Sequence, residues 1–589
     1  MKIPIGEYWR MLGRYLAPQR GAALLMAGLL LASVGLQLAG PQVARLFIDT
    51  ARTGAAEAML VRLALAFIAV CAVQQATRVL ATYWGERVAW TATNALRADL
   101  AAHLVGLDLG FHKAHTPGEL IERVDGDVNA LAGLFSSLVA QLGGSVLLLA
   151  GVLLVVYLLE VRLGLAFTTF ALCALMLLGW VRRFGTPHWK QEREQSAAFY
   201  GYVGELLAAT EDIRSSGAVP YALQRLLVQL RGWWPIRLRA DIWGQAVMMA
   251  SIVAFATGDG IAYGLGGSLY RLAAIPLGAV YMVVAYTAMM AEPIETIRTQ
   301  LQVLQRADAG IARVRELLAT PSRLADGVED IPSGALTVEL QGVCFGYEDG
   351  PNANGSQVEE RATVLEGVTL RLEAGRVLGL LGRTGSGKTT LARLLFRLYD
   401  PRQGEVRLGG VNLRRARLAG LRSRVGLVTQ DVQLFAASLR DNITFFDRAI
   451  PDGHVLAVLD KLGLAAWLGR LPQGLGTAIS GGALSAGEAQ LIALARVFLK
   501  DPGLIILDEA SSRLDPATEA LLERALGRLL VGRTAVIIAH RLATLERADD
   551  IAILERGRVV EHGPRDRLAS DAHSRFAQLR RAGLGEVLA

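Results

Sequence analysis

Hydrophobic and polar positions divide the chain into two unlike parts. The first three hundred residues hold six apolar stretches nearly free of charge, at about 22–38, 60–79, 138–159, 163–180, 242–265 and 275–291. Each is close to the ~20 residues a helix needs to cross a bilayer. Buried helices of a soluble protein do not account for six such runs. Short connections are expected at 45–59, 160–162 and 266–274, and long ones at 80–137 and 181–241. The long connections are polar but helix-friendly. They read as continuations of the spans, each pair joined by a short turn where Gly and Pro collect, at 106–118 and 215–221. A further polar helix is expected at 298–318, ended by Thr320-Pro321-Ser322.

Beyond a linker at 325–334, rich in Gly, Pro and acids, the pattern changes period. Leu336-Thr337-Val338-Glu339-Leu340 alternates, as a half-buried strand does. Residues 348–361 read as a loop. Leu504-Ile505-Ile506-Leu507 and Ala535-Val536-Ile537-Ile538 are continuous apolar runs, each followed by polar residues. Buried strands ending in polar groups fit an α/β domain that binds ligands at strand carboxyl ends. The expected fold is a membrane α-helical bundle of six spans with long cytoplasmic extensions, followed by an α/β P-loop nucleotide-binding domain. Its divisions are a surface helix at 1–20, the membrane domain at 21–320, a linker at 321–334 and the nucleotide-binding domain at 335–589.

Charge orients the membrane part. Lys2, Arg10, Arg14 and Arg20 precede the first span, and Arg182, Arg183, Lys190 and Arg193 follow the fourth. By the positive-inside rule these ends are cytoplasmic. Tyr8, Trp9, Arg10, Arg14 and Tyr15 suit a helix lying on the membrane surface. The formal charge of +7 is thereby explained without nucleic acid, and 52% hydrophobic residues fit a membrane protein. Cys71, Cys173 and Cys344 lie far apart and imply neither metal nor disulfide framework. No cleavable signal peptide is expected.

The chemistry centres on 382–389, which fits G-x-x-x-x-G-K-[ST] after an apolar run and before a helical one. Gly382, Arg383, Thr384, Gly385, Ser386, Gly387, Lys388, Thr389 and Thr390 form a loop whose N–H groups converge on a polyphosphate, at the positive end of a helix. Lys388 reaches the β/γ-phosphates and the Thr389 hydroxyl ligates Mg²⁺. Asp508, at a strand end, is placed to hold Mg²⁺, and Glu509 to activate the attacking water. His540 is placed to sense the γ-phosphate, and Gln430 to reach Mg²⁺ and the water. ATP and Mg²⁺ are the expected cofactors. In the membrane part, Asp259 is the one acid well inside an apolar span. Burial in lipid would cost about 2.5–3.5 kcal/mol, so it is expected to face the translocation pathway or its outer mouth.

In these motifs, their order and spacing, the chain resembles an ATP-binding cassette (ABC) half-transporter of the exporter type over nearly its whole length. Tyr347 resembles the aromatic residue that stacks on adenine, 382–389 the Walker A loop and Gln430 the Q-loop. Leu484-Ser485-Ala486-Gly487-Glu488 stands at the signature. Residues 504–509 stand at Walker B, 512–515 at the D-loop and His540 at the switch histidine. Gly118-Glu119-Leu120-Ile121-Glu122-Arg123 and Asp127-Val128-Asn129 resemble the first intracellular loop. The resemblance implies two cassettes closing head to tail, each ATP held between the Walker motifs of one and the signature of the other. It implies catalytic Glu509, His540 and Gln430, and a cell inner-membrane location. It also implies alternating access that carries a small molecule, lipid or peptide outward.

The signature departs from the family's Leu-Ser-Gly-Gly-Gln followed by a basic residue. Ala486 replaces the first Gly, Glu488 the Gln and Ala489 the basic residue, while 477–483 is short and lacks an acid. A methyl at Ala486 would crowd a backbone approach. A charge on Glu488 at about 7 Å from a polyanion would cost roughly 2 kcal/mol at an effective dielectric of about 20. Ser485, Ala486, Gly487 and Glu488 would serve the partner's ATP, so a heterodimer with a second half-transporter is expected over a homodimer. The rival readings are a soluble cassette ATPase acting in DNA repair or translation, a siderophore-type importer on the exporter fold, and a channel. Six spans oppose the first, and the lack of an extra N-terminal domain favours export. No N-terminal Cys/His protease-like domain marks a peptide processor.

Overall fold

The computed structural model describes residues 13–129, 131, 141–347, 363–429, 432–479, 484–508, 516–538 and 545–582, with backbone alone at 298–309, 516–517 and 582. It forms two units. One comprises Met1–Val105 and Gly118–Thr320, the other Gly106–Pro117 and Pro321–Ala589.

Among the described residues, six helices of the first unit are long and apolar enough to cross a membrane. They are α1 (Arg20–Arg52), α2 (Glu57–Gly106), α4 (Gly144–Leu159), α5 (Val161–Ala208), α6 (Val219–Arg271) and α7 (Leu277–Ala319); the short α3 (Leu109–Ala114) belongs to the second unit. The 50 residues of α2 extend roughly 75 Å at 1.5 Å per residue, more than twice the ~30 Å of hydrocarbon. The polar connections thus continue the spans, as the pattern implied. Connections at the other ends are shorter than expected, because helix persists to Arg52 and, through Gly266 and Gly267, to Arg271. The polar helix expected at 298–318 is the continuation of α7, which accommodates Pro293 internally. Of the surface-helix segment, residues 1–12 lie outside the described residues; Ala17–Gln19 forms a 3₁₀ turn carrying Pro18.

The core of this unit is apolar side chains from α4, α5, α6 and α7, with Phe167, Met282, Tyr286 and Met290 almost fully buried. Polar groups fix the ends. The backbone N–H of Gly278, in the first turn of α7, donates to Asp49 Oδ1 at 2.8 Å, which satisfies one of the orphan donors a helix start leaves. Asp127, buried to 4% exposure, accepts from Arg313 Nε at 2.9 Å.

In the second unit, β1 (Val338–Phe345), β2 (Leu365–Leu372), β4 (Gln403–Leu408) and β5 (Val411–Asn412) form a sheet ordered β2-β1-β4-β5. A second sheet is ordered β10-β9-β3-β8-β7-β6, from β3 (Val377–Leu381), β6 (Val425–Val428), β7 (Leu504–Asp508), β8 (Thr534–Ile538), β9 (Asp550–Glu555) and β10 (Arg558–Pro564). Its neighbours are parallel except β9 and β10. Both faces are covered. Ile505, Leu507, Ala535 and Ile537 enter one core, and Leu504, Ile506, Val536 and Ile538 the other. Two-sided burial is why these strands are continuous apolar runs.

Two segments differ from expectation. The turn expected at 106–118 holds α3, capped by Asp108, whose Oδ1 accepts from Phe111 N at 3.1 Å and Oδ2 from Arg323 N at 3.0 Å. The stretch read as a linker is packed rather than loose. Val328 and Glu329 N–H groups donate to Arg415 O, both at 2.9 Å, and Ile331 is buried. Arg397, 1% exposed, secures it by donating to Ala325 O at 2.8 Å, Ala416 O at 3.0 Å and Asp400 Oδ1 at 3.0 Å.

Removing this guanidinium takes its donors from the Asp400 carboxylate and from the Ala325 and Ala416 carbonyls, of which Ala416 is buried, and leaves a cavity where a buried side chain stood. Arg397→Ala is expected to cost about 3 kcal/mol and to lower the cassette's thermal transition by roughly 6–12 °C, with Arg397→Lys restoring little. Calorimetry of the purified full chain measures this.

Candidate functional site

The parallel strands β3, β8, β7 and β6 end side by side. Ile538 pairs with both Leu380 and Asp508, and Leu507 with Val428. Strands buried on both faces expose polar groups only at their ends, so polar residues collect along this edge.

The phosphate loop follows β3 and enters α8 (Lys388–Leu395). Gly387 is the N-cap at φ 106°, and a side chain there would meet Leu365 Cδ2 at 2.6 Å. Gly382, at φ 153°, lies so close to Leu554 O that an added Cβ would stand 2.2 Å away. Only glycine fits either position. Lys388, 6% exposed, folds over the loop and donates from Nζ to Gly382 O at 2.6 Å and Arg383 O at 3.0 Å. Ser386 Oγ is buried without a hydrogen-bond partner. Arg383, Thr384, Gly385 and Thr389 are exposed, while Thr390 is buried. A loop with a held ammonium, an orphaned hydroxyl and a helix N-terminus fits an anionic polyphosphate.

Asp508 ends β7 at 8% exposure. No cluster of three or more His, Cys, Asp or Glu residues suited to a metal occurs among the described residues. A strand-end carboxylate together with a loop hydroxyl is nonetheless the kind of donor set Mg²⁺ uses when phosphates and water complete its shell. Gln430, Glu509, His540 and residues 512–515 lie outside the described residues.

Tyr347 is held by its hydroxyl, 3.0 Å from Thr390 Oγ1 and accepting from Arg393 Nη1 at 3.0 Å. Its ring packs edge-on against Phe345 and Tyr399. The Lys113 ammonium of α3 lies 3.9 Å from the ring centroid, a cation–π contact. These residues border a cavity of about 300 Å³ that also includes Asp108 and Arg402. Sequence reasoning found Tyr347 but not Lys113, which the chain path brings in from far away.

The segment expected to be the signature opens α9 (Ala486–Lys500). Ser485 is its N-cap, and Ser485 with Glu488 forms a capping box. Glu488 Oε2 accepts from Ser485 N at 3.0 Å and from Ser485 Oγ at 3.1 Å, while Oε1 accepts from Trp467 Nε1 at 3.0 Å. Burial alone would raise its pKa. The Trp467 indole N–H, the Ser485 backbone and hydroxyl donors and the charge of Arg470 outweigh that and hold it below the usual carboxylate range. Ala486 is exposed and Gly487 buried. Trp467 had no signal in the sequence.

Asp259 is half-buried on α6, and no hydrogen bond or ion pair joins it to the described residues.

Comparison with known proteins joins the two units. Residues 24–290 match the ABC transporter transmembrane region and residues 365–512 match the ABC transporter family. The uncharacterized ABC transporter ATP-binding protein YfiC of Bacillus subtilis is 28% identical over 95% of this chain and 91% of its own. The multidrug resistance ABC transporter ATP-binding and permease protein of Lactococcus lactis is 25% identical over 94% of this chain and 92% of its own. The multidrug efflux ATP-binding/permease protein Rv0194 of Mycobacterium tuberculosis is 30% identical over 85% of this chain, which spans 41% of that protein.

Tyr347→Ala is expected to raise the apparent Michaelis constant for ATP about tenfold or more, the scale of one lost base-stacking contact, while Tyr347→Phe leaves it near wild type. Steady-state ATPase titrations test this. Equal constants for all three proteins would make Tyr347 a core residue only.

Proposed function

Because the chain is an ABC transporter, with a transmembrane region and an ATP-hydrolysing cassette in one polypeptide, we propose that it exports a hydrophobic or amphipathic compound from the cell. The observation that carries this reading is the phosphate loop at the carboxyl edge of the sheet, in the same chain as six membrane-spanning helices. The names of relatives that act in multidrug efflux and resistance support the outward direction. The multi-pass chain sits in the inner membrane, with its cassette and N-terminus in the cytoplasm, in keeping with its basic residues.

In this reading ATP lies on residues 382–390 with adenine against Tyr347. An adenine on the ring face that Lys113 covers displaces that ammonium. Thr389, Asp508 and Gln430 would hold Mg²⁺, which neutralises phosphate charge. Glu509 takes a proton from the attacking water, and His540 bonds the γ-phosphate. Asp259 faces the translocation pathway. Cassette closure turns the membrane helices outward and hydrolysis resets them.

The partner is a second, different half-transporter. Every residue the Walker side needs is present in this chain: Lys388, Asp508, Glu509 and His540. Its signature is the defective half. The Ser485 hydroxyl is bonded to Glu488, which stays ionised, so a donor and a neutral surface are both withdrawn from the partner's nucleotide. An intact signature from the partner would complete the site at Glu509, leaving one competent and one impaired site.

Two outcomes are expected. In inside-out vesicles, the two-subunit transporter accumulates a hydrophobic dye on ATP addition. Glu509→Gln keeps ATP binding but lowers hydrolysis ~100-fold or more and abolishes accumulation. Near-normal turnover in that variant would sink the base assignment, and ATP-driven loss of dye would reverse the direction. Secondly, the chain purified alone hydrolyses ATP slowly until a second subunit is added; brisk, substrate-stimulated activity from a homodimer would overturn the asymmetric reading.

A further inference from the structure

The ring proposed to receive adenine is already covered. Lys113 Nζ lies over the face of the Tyr347 ring, 3.9 Å from its centroid. The short helix α3 that carries Lys113 belongs to the same unit as Tyr347. Its start is pinned there by Asp108, whose Oδ2 accepts from Arg323 N at 3.0 Å. Lys113 therefore reaches the ring from a fixed base.

The ring has little freedom of its own. Its hydroxyl lies 3.0 Å from Oγ1 of the buried Thr390 and accepts from Arg393 Nη1 at 3.0 Å. The rings of Phe345 and Tyr399 stand nearly perpendicular to it, at centroid distances of 5.1 and 5.4 Å. Tyr347 cannot swing aside without breaking these contacts. Lys113 is the loose member of the pair. It is exposed, ends a flexible four-carbon stem and makes no hydrogen bond or ion pair among the described residues. The contact that holds it is the attraction of its charge for the π face.

The two occupants of that face differ in strength. Stacking of a base on an aromatic ring outweighs an exposed cation–π contact. A nucleotide thus wins the face, but gains less than a full stacking contact. The cavity of about 300 Å³ at this ring is walled in part by Phe345, Leu398 and Tyr399, which gives a flat base room to approach. We infer that Lys113 competes with adenine for the face of Tyr347, and so sets the nucleotide concentration at which this site fills. It is a positioning residue, acting through Tyr347. By linkage, a base on the ring releases Lys113 and weakens the hold of α3 on the cassette by the same factor. A polyphosphate without a base fills the loop at 382–390 and leaves the contact intact. The inference rests on the reading that adenine stacks on Tyr347.

The test is equilibrium binding to the full chain in lipid nanodiscs. The probes are adenylyl imidodiphosphate, which is not hydrolysed, and inorganic tripolyphosphate. Lys113→Ala, a change that a helix accepts, should tighten the nucleotide about two- to fivefold, the scale of one exposed cation–π contact, and leave tripolyphosphate unchanged. Lys113→Arg keeps a cation over the ring and should not tighten the nucleotide. In a Tyr347→Ala background, Lys113→Ala should alter neither probe. Weaker binding of both probes in Lys113→Ala would make the lysine a partner of phosphate charge, and weaker binding of the nucleotide alone a partner of the base; either overturns the competition. So would tightening that persists without the Tyr347 ring. If Lys113→Ala changes nothing while Tyr347→Ala weakens the nucleotide, the competition falls and the stacking reading stands. If neither variant alters nucleotide binding, the stacking reading falls and the competition with it.

Discussion

Two-sided burial of the parallel sheet is the constraint on which the cassette depends. Strands β3, β6, β7 and β8 are covered on both faces, so no polar side chain fits along their length. Polar chemistry is confined to their ends, and pairing in register brings those ends together. The loop from Gly382 to Lys388 and the carboxylate of Asp508 thus share one edge although they lie far apart in sequence. The glycines are as constrained as the lysine, since Leu365 and the Leu554 carbonyl leave no room for a Cβ.

This also explains which features were legible in the sequence. The phosphate loop, the Asp508 strand and the long membrane helices each impose a local residue pattern, and each was found from that pattern. The packed segment at 325–331 was not. Its order comes from Arg397, a buried guanidinium whose acceptors Ala325, Asp400 and Ala416 are fixed only by the tertiary fold. Composition alone gives such a stretch the look of a free linker. The Lys113 contact with Tyr347 was hidden for the same reason, because α3 belongs to the second unit although its neighbours in sequence belong to the first.

Glu488 shows how a structure changes an electrostatic argument read from sequence. As a bare substitution it suggests a carboxylate aimed at a neighbouring polyanion. In the fold it turns back on its own helix, receiving Ser485 and Trp467 donors. The negative charge remains, held ionised by those donors. The added consequence is that the Ser485 hydroxyl is engaged within its own chain. The segment proposed as an altered signature is therefore a stable local structure, a capping box that strengthens the helix start.

The most direct test of the asymmetric account is repair of that signature. Glutamine satisfies a capping box as glutamate does, so Glu488→Gln removes the charge without unravelling the helix start. Combined with Ala486→Gly in the chain purified alone, it should raise ATP turnover at least tenfold over the unmodified chain, measured by phosphate release at saturating ATP. Unchanged turnover in the doubly substituted chain, folded and binding ATP normally, would contradict the account.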